Sequence, residues 1–119
     1  MKATEEQNAQ KNRGKTLYVS DLDGTLLSRK DRLSPYTVET LNRLLHAGVL
    51  FTYATARSLS SASVVTEGLR MDLPVIVYNG AFIQSAVTGK VISSQGFSAE
   101  ERAWIFGLLE DNGIYPFTY

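Results

Sequence analysis

The chain has no cysteine and, among its 119 residues, only three prolines, one histidine and one tryptophan. Without cysteine it has neither a disulfide framework nor a thiolate metal site. Twelve basic residues balance twelve acidic ones, so charge gives no basis for binding nucleic acid or an anionic membrane surface. No apolar run approaches the length of a membrane span. We therefore predict neither a nucleic acid nor a membrane as a partner.

Hydrophobic residues make up 44% of the chain, which is enough for a packed core and too many for a disordered protein. The length suits one domain. The first residues, 1–15, are polar and lack the apolar centre of a signal peptide. We predict that 1–15 is a disordered leader and that the protein is cytoplasmic.

The next part of the chain alternates between strand and helix patterns. Continuous apolar runs predict buried strands at 16–20, 49–54 and 74–78. Between them, an N-cap serine followed by proline starts a helix at 34–35 that ends before Gly48, and a second helix is predicted over 58–68. This alternation predicts right-handed βαβ units and a parallel sheet, which is an α/β fold.

After Gly80 the pattern changes. Segments 81–85 and 90–94 flank a Thr88-Gly89 turn and predict a β-hairpin. Ser98, with Glu101 three residues later, forms a capping-box pattern that opens another helix.

This last helix should stop at Asn112-Gly113. Trp104 lies on its apolar stripe and is expected in the core. The final run, 114–119, is predicted to be a strand.

Polar loops follow each of the three predicted parallel strands, at 21–25, 55–58 and 79–80. Ligands of such sheets bind beyond the carboxyl ends of the strands, where these loops converge. Paired carboxylates, Asp21 and Asp23, can hold a divalent cation and present a nucleophile, while Gly24 lets the backbone approach a ligand.

Simpler interpretations of these residues remain open at this point. The acid pair could belong to an ordinary Asp/Gly turn, and Asn79-Gly80 is a common turn dipeptide. Thr55 could cap the following helix, and Arg57 could be a solvated residue of its first turn.

Three motifs together resemble the haloacid dehalogenase superfamily. Asp-Leu-Asp-Gly-Thr-Leu-Leu at 21–27 looks like its first motif, and Ala-Thr-Ala-Arg-Ser at 54–58 resembles the second motif of the Cof-type sugar-phosphate phosphatases. Tyr-Asn-Gly-Ala at 78–81 is similar to a segment of that branch after the third strand. The resemblance covers Thr16 to Tyr119. It implies a three-layer, Rossmann-like parallel sheet with helices on both faces.

The resemblance divides the chain into the N-terminal part of such a core, 16–80, and the start of an α+β cap domain, 81–119. It implies a Mg²⁺-dependent phosphatase that acts on a small phosphorylated metabolite, such as a sugar phosphate, through an aspartyl-phosphate. In that case Asp21 would be the nucleophile and a Mg²⁺ ligand. Asp23 would be the general acid and base, with its carbonyl on the metal.

The same resemblance implies a set of groups that contact the phosphoryl group or the substrate. They are the Thr55 hydroxyl, the backbone around Leu22, Asp23, Gly24 and Ala56, and the side chains of Arg57 and Asn79.

The chain also departs from the family pattern. Family phosphatases carry a lysine and a further acid pair on later strands, and neither is found in this sequence. Ala56 stands where glycine is usual. The chain is therefore expected to be the N-terminal part of a longer protein, with little or no phosphatase activity of its own.

Two other functions remain as alternatives. The chain could be a non-catalytic polypeptide that self-associates through an exposed strand edge into a homo-oligomer. A phosphoacceptor receiver domain fits the length and fold class, but it would need an aspartate after the third strand, where this chain has Tyr78-Asn79-Gly80.

Overall fold

The computed structural model describes residues 16–29 and 31–119. The predicted leader, 1–15, lies outside the described residues. Among those that are described, no helix is long and apolar enough to cross a bilayer. The elements in chain order are β1 (Leu17–Ser20), α1 (Pro35–His46), β2 (Leu50–Tyr53), α2 (Leu59–Val65), β3 (Val75–Val77), β4 (Phe82–Gln84), β5 (Val91–Ser94) and α3 (Ala99–Asp111).

The parallel βαβ arrangement is confirmed. β1 pairs with β2 in parallel, with Leu17 opposite Leu50 and Ser20 opposite Tyr53. A parallel bridge from Ala54 to Ile76 joins β2 to β3. The three strands therefore run in one direction, and their carboxyl ends meet at one edge.

The sheet is more mixed than the sequence predicts. β3 also pairs with β4 in an antiparallel manner, and β4 pairs with β5. The predicted hairpin exists, but it extends from the last parallel strand. The cause is a tight turn over Tyr78–Gly80, which reverses the chain directly after β3.

The ends of α1 follow the sequence signals, whereas α2 ends earlier than predicted. Ser34 caps α1, with Pro35 in the first turn, and Gly48 adopts a φ of +90° just after its C-cap. α2 is shorter than predicted and ends at Val65, where the Thr66 hydroxyl donates to the Ala62 carbonyl. A hydroxyl that bonds back to the preceding turn competes with continued helix formation.

The buried core lies directly beneath the carboxyl ends of the parallel strands. Its members are Leu22, Tyr53, Ala62, Val65, Val75 and Val77. Leu22 has no exposed surface, although it stands between two exposed aspartates. Burial of a leucine side chain contributes about 1.5–3 kcal/mol. The acid loop is therefore anchored to the core by its own second residue.

The prediction that β1 is buried is wrong. Leu17, Tyr18 and Val19 are 51%, 57% and 49% exposed. Among the described residues β1 has only β2 as a neighbour, and α1 contains no buried residue that could cover it.

Two predictions for the last part of the chain are also wrong. Trp104 is 70% exposed rather than in the core. Residues 114–119 form no strand, and Phe117 is fully exposed. Pro116 lacks the N–H that a strand ladder needs, and Tyr119 instead stacks on Tyr78 with ring centroids 4.2 Å apart.

The exposed face and open edge of β1 lead to a prediction about association. The chain is expected to form oligomers in solution, because an unpaired apolar edge strand is a template for pairing with another chain. Tyr18→Lys should shift sedimentation toward monomer. The control is Tyr36→Lys, which changes a more exposed tyrosine on α1 and should leave the distribution unchanged. A well-dispersed wild-type monomer at high concentration would contradict this prediction.

The capping box at the start of α3 leads to a prediction about pH. The Ser98 hydroxyl accepts the Glu101 N–H at 3.1 Å, and the Glu101 carboxylate accepts the Ser98 N–H at 2.7 Å. The Ser98 backbone hydrogen bond lowers the pKa of Glu101 below its usual 4.5. The stabilisation is therefore present above the ordinary pKa of Glu101 and disappears as the pH falls through the lowered one.

Helix content measured by circular dichroism should decrease in that acidic range, and Glu101→Gln should reduce this decrease. Ser98→Ala should cost about 1 kcal/mol at neutral pH. An unchanged acid transition in Glu101→Gln would show that other groups govern it.

Candidate active site

The first loop of the site leaves β1 at Asp21. The Asp21 carboxylate accepts the Leu22 N–H at 2.7 Å through Oδ1. The loop then closes in one wide turn, in which the Leu27 N–H donates to the Leu22 carbonyl at 2.9 Å. Gly24 has a φ of +76° within this turn, a conformation that glycine adopts without strain. The loop therefore holds its two acids in a fixed turn above the buried Leu22.

The second loop leaves β2 and is tied to both of its neighbours. The Ala54 N–H donates to the Ser20 carbonyl at 2.9 Å, and the Thr55 N–H donates to the Ile76 carbonyl at 2.9 Å. Thr55 is only 4% exposed. Its hydroxyl accepts the Arg57 N–H at 3.2 Å, whereas Ser58, and not Thr55, caps α2. The alternative interpretation of Thr55 as the helix cap is therefore wrong.

The third loop is the turn after β3, and its backbone is strained. Tyr78 and Asn79 both have positive φ, +50° and +55°. Asparagine tolerates this region, but tyrosine rarely adopts it, and such outliers cluster at functional sites. The Asn79 N–H donates to the Thr55 carbonyl, and the Tyr78 N–H donates to the Arg57 carbonyl, each at 3.0 Å. The strained turn thus holds the second loop in place.

These loops surround an open cleft of about 430 Å³. Its wall brings together most of the residues expected from the sequence: Asp21, Asp23, Thr55, Ala56 and Asn79, with Ala54, Ile76 and Gly80. Three expected residues, Leu22, Gly24 and Arg57, are not on the wall. Leu22 is wholly buried, and its N–H already donates to the Asp21 carboxylate, so in this structure it presents no free group to a ligand.

Arg57 instead binds Asp23. Its Nε donates to Asp23 Oδ2 at 2.8 Å, and its Nη2 donates to Asp23 Oδ1 at 2.7 Å. This bidentate hydrogen bonding holds the pKa of Asp23 below its ordinary value, and it raises the pKa of Arg57. The Arg57 side chain is 25% exposed and the Asp23 side chain is 49% exposed, so the ion pair contributes little to overall stability. The pair does fix one carboxylate of the cleft.

The acids of the cleft are suitable ligands for a magnesium ion that keeps much of its water shell. Mg²⁺ is usually held by one or two carboxylates together with waters and substrate phosphate oxygens. Asp21 Oδ2 carries no hydrogen bond from any described residue, and the Asp23 carbonyl belongs to the same loop. Among the described residues no group of three or more acidic, histidine or cysteine side chains is gathered for a metal. The donor set therefore fits an ion held by few protein ligands and completed by a bound phosphate.

Sequence reasoning missed the contact between Arg57 and Asp23 and the strain at Tyr78. The pair joins residues 34 positions apart in the chain, so no local pattern reveals it. Positive φ at Tyr78 has no sequence signal either, although the following Asn79-Gly80 marks the turn.

Comparison with known proteins identifies the family. The model of the haloacid dehalogenase-like hydrolases matches residues 18–119, and this chain belongs to that family.

Relatives and solved structures agree with this assignment. The chain is 36% identical over 100 residues to the 5-amino-6-(5-phospho-D-ribitylamino)uracil phosphatase YwtE of Bacillus subtilis (strain 168), a match that covers 83% of this chain and 34% of that protein. It is 27% identical over 99 residues to the pyridoxal phosphate phosphatase YbhA of Escherichia coli (strain K12), covering 83% and 36%. A solved haloacid dehalogenase-like hydrolase from B. subtilis superposes with a TM-score of 0.68 at 27% identity, covering 82% of this chain and 34% of that one.

The chain spans only about a quarter to a third of the length of the curated relatives that it matches. The matched part contains all three loops of the cleft.

Proposed function

We propose that the protein is a Mg²⁺-dependent phosphatase of the Cof-type branch, which hydrolyses a small phosphorylated metabolite through an aspartyl-phosphate on Asp21. One observation carries this proposal. Three loops distant in sequence place two carboxylates, a buried threonine hydroxyl and an asparagine around a single cleft at the carboxyl edge of the parallel sheet. This is where α/β folds bind ligands.

In the first half of the reaction, an Asp21 carboxylate oxygen attacks phosphorus. The bond from phosphorus to the ester oxygen breaks, and that oxygen keeps the electron pair and takes a proton from Asp23. Arg57 lowers the pKa of Asp23 in the chain without substrate, so the negative charge of the bound phosphate must raise that pKa before Asp23 can act as the acid. In the second half, Asp23 accepts a proton from a water molecule whose oxygen attacks phosphorus. The acyl-phosphate bond then breaks, which releases inorganic phosphate and restores the Asp21 carboxylate.

The remaining groups of the cleft position the phosphoryl oxygens. The Thr55 hydroxyl accepts the Arg57 N–H, so its own hydrogen can donate to a phosphoryl oxygen. The backbone N–H groups of the acid loop and of Ala56, and the Asn79 side chain, are further candidate donors. Fixed donors of this kind supply much of the catalysis in phosphoryl transfer.

Asp21 and the Asp23 carbonyl would hold Mg²⁺. When bound, the ion would neutralise negative charge on the phosphoryl group and on Asp21.

For the substrate we propose a small phosphorylated metabolite. Support comes from the relatives, which are named as phosphatases of a phosphoribitylamino-uracil, of pyridoxal phosphate and of HMP-PP. A sugar phosphate belongs to the same chemical class. The cytoplasmic location stays a prediction from the sequence.

The test uses the 119-residue chain in a single-turnover experiment, because transfer to Asp21 can be detected without sustained hydrolysis. The chain is incubated with radiolabelled acetyl phosphate and Mg²⁺, quenched in acid and counted. We expect labelling that is sensitive to hydroxylamine, as acyl phosphates are, and that is lost when Mg²⁺ is chelated. Equal labelling in the chelator would contradict the proposal.

A further inference from the structure

We propose that Arg57 is a positioning residue, which fixes the Asp23 carboxylate for proton transfer and does not itself bind the phosphoryl group. The inference rests on the proposed function, and it assigns Arg57 a different role from the substrate contact that the family resemblance implies.

The geometry of the pair supports this role. The Nε and Nη2 edge of the guanidinium meets both oxygens of the carboxylate, at 2.8 and 2.7 Å. A two-point contact between two planar groups fixes both the position and the plane of the carboxylate. Each oxygen still has a lone pair for a proton that moves to or from the cleft.

Arg57 is itself firmly held. Its Nη1 donates to the Ser61 hydroxyl on α2 at 3.1 Å. Its N–H donates to Thr55 Oγ1 at 3.2 Å, and its carbonyl accepts the Tyr78 N–H at 3.0 Å. Asp23, by contrast, is half exposed and precedes a glycine. Arg57 therefore transfers the rigidity of α2 and of the strained turn to a side chain that would otherwise rotate.

The location of the two side chains also supports this role. Asp23 lines the cleft, whereas Arg57 does not. If Arg57 turned toward a phosphoryl group in the cleft, it would have to break both bonds to Asp23. The position of Arg57 therefore favours a role in which it influences the reaction by holding Asp23.

The test compares two reaction steps that need proton transfer by Asp23 with one step that does not need it. Acetyl phosphate has a weakly basic leaving group, so phosphoryl transfer from it to Asp21 needs no proton from Asp23. Transfer from glycerol phosphate needs that proton, and hydrolysis of the aspartyl-phosphate needs Asp23 as a base. Lysine keeps the charge of arginine but cannot make the two-point contact.

Arg57→Lys should therefore label from acetyl phosphate at a rate within about twofold of wild type, since no proton transfer is involved. Labelling from glycerol phosphate and decay of the label should each slow by roughly tenfold or more. The half-saturating concentration of acetyl phosphate should not change. Arg102→Lys, on α3, is the matched control and should behave as wild type.

Equal slowing with both donors, together with weaker binding of inorganic phosphate, would show that Arg57 binds the phosphoryl group and would overturn the inference. A second readout is independent of activity. The Arg57 Nε–H resonance should move in Asp23→Asn but not in Asp111→Asn, and it should stay in place when inorganic phosphate is added to wild type. An Arg57 Nε–H resonance with the same chemical shift in Asp23→Asn as in wild type would also overturn the inference.

Failure of the proposed function has a different signature. The wild-type chain would then not be labelled by either donor, which would remove the catalytic role of Arg57 as well. The Nε–H resonance would still show whether the pair with Asp23 exists.

Discussion

Asp21→Asn is expected to abolish labelling by acetyl phosphate, with a loss of three orders of magnitude or more, on the order of what removal of a nucleophile costs other enzymes. The amide has the shape of the carboxylate but cannot form the acyl phosphate. Asp21 lies on the cleft wall, and the only hydrogen bond that its carboxylate accepts from the described residues is the one from Leu22, so the fold should tolerate the change. The measurement is acid-stable radiolabel per chain after a fixed incubation.

A binding measurement on the same variant does not depend on turnover. Beryllofluoride forms a tetrahedral adduct on carboxylates that resembles the phosphorylated state. At about 100 times its Kd it should stabilise the wild-type chain by about 2.7 kcal/mol, which corresponds to a rise in Tm on the order of 10 °C for a chain of this size. Asp21→Asn should show no rise, whereas Asp111→Asn, a distant exposed control on α3, should respond as wild type. A full response in Asp21→Asn would refute its role as the nucleophile.

Asp23→Asn is expected to give the second largest effect. An amide neither donates the proton that the leaving oxygen needs nor accepts one from water, so decay of the aspartyl-phosphate should slow by about 10²- to 10⁴-fold. Mg²⁺ affinity should change far less, because the backbone carbonyl that we assign to the metal remains. The measurements are the decay rate after a chase with unlabelled donor, and Mg²⁺ titration by calorimetry.

Asp111→Asn again serves as the control for removal of one charge. If the label decays in Asp23→Asn at the wild-type rate, the general base is another group. A loss of most of the Mg²⁺ affinity in Asp23→Asn would show that the carboxylate, rather than the carbonyl, holds the ion.

Local signals explain why much of the fold could be predicted from the sequence. Ser34 and Ser98 cap the helices that their patterns predict, whereas α2 is capped by Ser58 and not by the candidate Thr55. Capping depends on a few adjacent residues, so it can be recognised without knowledge of the rest of the chain. The apolar runs of the three parallel strands are equally local, and their shared direction follows from the alternation with helices.

Burial was predicted less well, because it depends on what packs against a segment. Leu17–Val19 has the composition of a core strand and yet is half exposed, and Trp104 lies on an apolar stripe and yet is 70% exposed. An apolar pattern shows which face could be buried, but it contains no information on what covers that face. The same limit explains the wrong strand prediction at 114–119, since a strand also needs a partner.

The candidate site could likewise be predicted only in part. The sequence predicts that the polar residues after the parallel strands lie close together, because they share one edge of the sheet. These residues are Asp21, Asp23, Thr55 and Asn79. The sequence does not predict the contact of Arg57 with Asp23, because that contact depends on the orientation of two side chains on separate loops. The motif alone therefore predicts the cleft, and the structure adds what fixes one of its acids.

The proposed mechanism is tested most directly by locating the phosphoryl group on the wild-type chain. After incubation with acetyl phosphate and Mg²⁺, the acid-quenched chain is digested at low pH, and the phosphorylated peptide is sequenced by mass spectrometry. We predict one acid-stable, hydroxylamine-sensitive phosphoryl group, on Asp21. A phosphoryl group mapped to Asp23, to Thr55 or to any other residue, with Asp21 unmodified, would contradict the central claim.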